Sequence, residues 1–81
     1  MKRDPLRRIE INPKVMVGKP VIRGTRITVE VILDRLAEGA SVDEVLDDYP
    51  RLKKADVLAA IRYARDTIRN EEVLDRIRTA S

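Results

Sequence analysis

Twelve arginines and five lysines are the residues of this sequence best equipped for chemistry, and what they can do is bind anions rather than make or break bonds. His and Cys are absent, so the commonest general base, a common zinc ligand and every thiolate are missing. Any catalytic centre would have to be built from carboxylates. Asp43, Glu44, Asp47 and Asp48 crowd one short segment and could in principle hold Mg²⁺, as in a nuclease. Asp43 and Asp47, however, stand at the ordinary i,i+4 spacing of an exposed helix face, and no base or general acid accompanies them. The chain is therefore expected not to be an enzyme, and to need neither cofactor nor metal.

The net charge of +3 hides three blocks. Residues 1–26 carry +6, residues 27–50 carry −6 and residues 51–81 carry +3. Such asymmetry suits a polyanion bound to the basic blocks, or attraction between basic and acidic blocks within or between chains. Solvated ion pairs on the surface are the plainer alternative for the acidic block. Tyr49 and Tyr63 are the only aromatic residues, which argues against single-strand binding on stacked aromatic platforms.

These residues must be positioned by one small domain, since 81 residues allow little more. A domain of this size buries only about 60% of its unfolded surface, so a partner would add to a thin stability margin. No apolar run approaches the about 20 residues of a membrane span, and no signal-peptide core follows the basic start. A cytoplasmic protein without a membrane partner is the expectation.

Along the chain, residues 1–8 read as a flexible basic arm, 9–69 as the folded domain and 70–81 as a helical tail. Ile9-Glu10-Ile11 alternates like a strand, and Asn12-Pro13 turns. Val21 to Thr28 predicts a tight hairpin with Gly24 first in a two-residue type II′ loop. That register sets Ile22 opposite Ile27, and Arg23 opposite Arg26 on the other face. Thr28 can cap a first helix with the stripe Val29, Ile32, Leu33, Leu36, ended by Gly39. Ser41-Val42-Asp43-Glu44 is a capping box opening a short second helix, with Val42, Val45, Leu46 and Tyr49 inward and Pro50 as its stop. A third helix is expected from about Lys53 to Ile68, with Val57, Leu58, Ile61, Ala64 and Ile68 inward. Asn70 can cap a separate helix over 71–79 with the stripe Val73, Leu74, Ile77.

A short capped helix, a turn (Pro50-Arg51-Leu52) and a longer basic helix is the outline of a helix-turn-helix, whose second helix enters the DNA major groove N-terminus first. Arg51, Lys53 and Lys54 then stand where phosphates or base edges are met, with Arg62 two turns on. Any three-helix bundle can show this pattern, and the plainer reading makes these residues the solvated end of an amphipathic helix. Arg23 and Arg26, if they face each other, repel, and a phosphate or a carboxylate from another chain would reverse that cost. An internal pair with Glu30 or Asp34 would do so equally well.

The run Asn12-Pro13 … Gly18-Lys19-Pro20-Val21-Ile22-Arg23-Gly24-Thr25-Arg26-Ile27-Thr28-Val29 resembles the signature of the domain of unknown function 433 family. So does its continuation Leu36-Ala37-Glu38-Gly39-Ala40-Ser41-Val42-Asp43-Glu44-Val45-Leu46 … Asp48-Tyr49-Pro50 … Ala55-Asp56-Val57 … Tyr63-Ala64. The resemblance covers about residues 9–65. It implies a mainly α fold: a three-helix, homeodomain-like helix-turn-helix bundle with a small N-terminal β-hairpin, here followed by the helical tail. It also implies an antitoxin of a two-gene toxin–antitoxin module, paired with a PIN-like nuclease toxin. The chain departs from many relatives in having Leu52-Lys53 where they have a polar cap before the third helix.

Three readings follow. The first is an antitoxin-type homodimer that binds double-stranded operator DNA through the helix-turn-helix and neutralises a PIN-like toxin through Val73, Leu74 and Ile77. The plainer place for that stripe is the protein's own core or a dimer mate. The second reading is a stand-alone DNA-binding transcriptional regulator without a toxin partner. The third is an oligomeric scaffold whose charge blocks pair between subunits.

Overall fold

The computed structural model describes the backbone of residues 5–79 and the side chains of residues 7–70. Two short strands, β1 (Ile9–Glu10) and β2 (Val21–Ile22), precede three helices, α1 (Val29–Ala37), α2 (Val42–Asp48) and α3 (Lys54–Thr79). The mainly α, three-helix fold with a small N-terminal sheet is as the sequence implies.

The sheet itself is arranged differently. β2 pairs antiparallel with β1, Ile9 opposite Ile22 and Glu10 opposite Val21. The expected partner strand at 27–28 is reduced to one bridge, Val21 to Thr28. Thr28 is claimed by the next helix, because its hydroxyl accepts the Val31 N–H at 3.0 Å and caps α1. Ile22 does face Ile27, whose carbonyl accepts the Ile22 N–H at 2.9 Å. The connection, however, is a four-residue loop, Arg23–Arg26, closed by the Thr25 N–H on the Ile22 carbonyl at 3.0 Å. Gly24 has the positive φ expected, 80°, but in the third position of the turn, where a type II geometry needs glycine. Arg23 and Arg26 thus stand in the loop and do not oppose each other across a ladder.

Residues 5–8, expected within the flexible arm, form a 3₁₀ turn against α3. Between the strands, Met16, Val17 and Gly18 have φ of 49°, 56° and 80°, a left-handed turn that leaves Val17 92% exposed. A β-branched residue rarely adopts this conformation.

Local signals end and start the first two helices. The Gly39 N–H reaches the Leu36 carbonyl and the Ala40 N–H that of Arg35, a Schellman closure with Gly39 at φ 100°. Ser41 and Glu44 make the expected capping box, at 2.8 and 3.1 Å. The Ser41 backbone N–H, then its hydroxyl, hold the exposed Glu44 carboxyl below its ordinary value of 4.5. A depressed carboxyl contributes stability that is fully present above the unfolded value and is lost as pH falls through the folded one. Acidification below about pH 4.5 should therefore weaken α2, and Glu44→Gln should remove that part of the pH dependence. Urea unfolding midpoints at pH 3 and pH 7 test this, and an unchanged ratio in the variant would count against it.

α3 corrects two expectations. It runs without a break from Lys54 to Thr79, so Asn70 does not cap a separate tail helix. No glycine or proline interrupts these 26 residues, and backbone hydrogen bonding simply propagates. Its buried face is also rotated. Val57, Ala59 and Ala60 are buried, and Tyr63 and Ala64 half-buried, whereas Leu58, Ile61 and Ile68 are 37%, 38% and 60% exposed. The rotation follows from Asp56, which is buried in the first turn and takes bonds on both oxygens. Arg8 Nη1 donates to Oδ1 at 2.9 Å, and the Lys53 backbone N–H to Oδ2 at 2.9 Å. Satisfying this carboxylate turns the small residues Ala59 and Ala60 inward. The core they complete joins Ile9 and Ile22 of the sheet to Val29, Ile32, Val45, Leu52 and Val57.

Candidate nucleic-acid interface

α2, the turn through Pro50–Lys53 and α3 form the helix-turn-helix outline. The turn is held by the Leu52 N–H on the Tyr49 carbonyl at 2.9 Å and by burial of Leu52 beneath it. Lys53 precedes α3 without a capping side chain. Asp56 supplies the other half of a capping box by accepting the Lys53 N–H, so the departure at Leu52-Lys53 leaves the helix start closed.

The sequence points separately to the hairpin arginines and the helix-turn-helix cations. The structure joins them. Arg51 Nη2 donates to the Gly24 carbonyl at 3.2 Å, which sets the loop Arg23–Arg26 beside the turn before α3. Arg23, Arg26, Arg51, Lys53 and Lys54 are all exposed. The loop is anchored from behind: the Arg23 N–H donates to the Arg8 carbonyl at 2.7 Å, and Arg23 Nε to that of Arg7. Arg7, itself exposed, joins the same end of the molecule. Arg62 is exposed but lies eight residues along α3 from Lys54, about 12 Å by helical rise, and is not part of this cluster.

The acidic segment does not converge. Glu44 is taken up by its cap and Asp48 pairs with Arg35, while Asp43 and Asp47 are exposed. Among the described residues no three acidic side chains are grouped to hold a metal ion. The stripe Val73, Leu74 and Ile77 belongs to the backbone span of α3, but its side chains lie outside the described residues. Among the described residues no helix is long and apolar enough to cross a membrane.

Arg8 and Asp56 are the residues that reading along the chain missed. Asp56 carries a local signal, an acidic residue three positions after the residue before a helix, the spacing of a capping box. Arg8 carries none, because its partner is 48 residues away.

Residues 9–64 match the family described as protein of unknown function DUF433. A crystal structure of a DUF433 member from Anabaena variabilis is similar at 38% identity and a TM-score of 0.70, over 85% of this chain and 65% of that one. The uncharacterised protein y4eO of Sinorhizobium fredii is 36% identical over 53 residues, which are 65% of this chain and 24% of that protein. The chain thus spans just under two thirds of the first relative and about a quarter of the second.

Proposed function

The chain belongs to the DUF433 family, and we propose that it is a non-catalytic, antitoxin-type protein that binds operator DNA with its helix-turn-helix. The observation that carries this reading is the Arg51–Gly24 bond, which makes one basic surface of the hairpin loop and the start of α3. Arg51, Lys53 and Lys54 meet the phosphates flanking the major groove, with Arg23 and Arg26 on a neighbouring stretch of backbone and Arg62 an outlying contact. Phosphate contacts position the protein, and the N-terminal end of α3 reads bases. Tyr49 and Tyr63 are both half-buried, in keeping with a duplex rather than a single strand as ligand.

A mobility-shift titration on the gene's own promoter region tests the DNA reading. Four to six phosphate contacts per subunit should give a log–log salt slope of about −4 to −5. Absence of binding at about 50–100 mM salt would remove it.

The toxin-neutralising part of the proposal places a PIN-like nuclease on the C-terminal end of α3. Co-expression with the adjacent gene product should yield a complex that co-purifies. A chain truncated after Arg69 should keep its fold and DNA binding yet lose that complex. Truncation that melts the domain would mean the tail belongs to the core. DNA binding with no co-purifying partner would favour the stand-alone regulator.

A further inference from the structure

The rotation of α3 leaves Ile61 and Ile68 on the surface, seven residues apart with Ala64 between them. That is the repeat by which one helix packs along another. Ala64 and Ile68 form one wall of an open groove of about 320 Å³, and Pro20, Val29 and Leu33 form the other.

The two edges of this apolar strip differ in sign. On the α1 side Glu30 lines the groove beside Lys19, with Asp34 one turn further along α1, both carboxylates exposed. Glu30 pairs with Lys19 at 3.4 Å, an exposed contact that a better partner can displace. On the far side, by helical spacing, stand Arg65 and Arg69, both exposed. Among the described residues Arg65 pairs with its neighbour Asp66, again at the surface.

We propose that this face binds a second copy of the chain. A two-fold interface uses the same patch on both subunits, so the patch must complement itself. A strip with acid on one edge and base on the other does so under one kind of rotation only. A two-fold axis running along the strip lays the basic edge of each copy on the acidic edge of the other, with the apolar strips in register. An axis across the strip would set acid against acid and arginine against arginine. The two α3 helices therefore run parallel, with Ile61, Ala64 and Ile68 of one on those of its partner. The dimer covers side chains that a small domain with a thin stability margin leaves in water.

Sedimentation equilibrium of the full chain tests this without DNA or any other protein. At about 100 μM the mass should be twice the 9.3 kDa of one chain and should fall on dilution. Ile68→Asp should give a monomer with an unchanged helical circular dichroism signal. Arg65→Glu with Arg69→Glu, both at exposed positions, should weaken association at least tenfold at low salt, and adding Glu30→Arg and Asp34→Arg should restore it. A monomer at that concentration overturns the proposal, as does a dimer indifferent to Ile68→Asp. If Ile68→Asp fails to fold, the arginine pair decides. Failure of the four-residue exchange to restore the dimer overturns the parallel arrangement, and with it the interface proposed.

Discussion

Ile32→Ala should destabilise the domain by about 2–5 kcal/mol, the largest single-residue loss of stability expected in this chain. Ile32 is 0% exposed and sits in the cluster that joins α1 to Val45, Leu52 and Val57. Removing its outer carbons takes away their transfer free energy and leaves a cavity that the packed helices around it close only in part. The whole domain has only about 4–12 kcal/mol to lose, at typical values per residue. The variant should therefore unfold at a much lower urea concentration, and a substantial fraction should be unfolded near 37 °C. A midpoint within error of the parent would show that the core relaxes around the site.

Lys53→Ala combined with Lys54→Ala should have the largest effect on DNA binding with the least effect on the fold. Two lost phosphate contacts flatten the salt slope by roughly 2 units, which corresponds to a loss on the order of 100-fold at about 50 mM salt. Neither lysine side chain makes a described hydrogen bond, and the Lys53 contact to Asp56 comes from the backbone N–H, which alanine keeps. The thermal transition should move little. An unaltered slope would place DNA on another surface, whereas a lost fold would show that the lysines are structural.

Where a signal is local, the sequence carried it. Thr28, Gly39 and the Ser41–Glu44 box each act within four residues, and each does in the structure what its type and spacing predict. The GKPVIRGTRITV run placed the chain in its family. The face of α3 was not legible, because Val57, Leu58, Ile61, Ala64 and Ile68 make an apolar stripe as regular as the one buried. The choice rests on Asp56, whose burial is favourable only with Arg8 opposite, a contact 48 residues apart in sequence. The hairpin departs from its sequence pattern for a similar reason: Thr28 suits both a strand and a helix cap, and the cap prevails. For the interface, the residue types were legible one by one, but not the Arg51–Gly24 bond that groups them.

The unbroken course of α3 makes it a strut rather than a tether. Its 26 residues span about 39 Å, so whatever grips its far end is held at a fixed distance from the end that carries Lys53 and Lys54. It is also held at a fixed phase. One residue inserted into the rod would swing everything beyond it by about 100° around the helix axis and displace it by about 1.5 Å, whereas seven would bring it back to within about 20°. Length changes in this helix are thus rotations first and extensions second. A change of length in α3 beyond the matched residues would present a different face at the tip while leaving the basic end untouched.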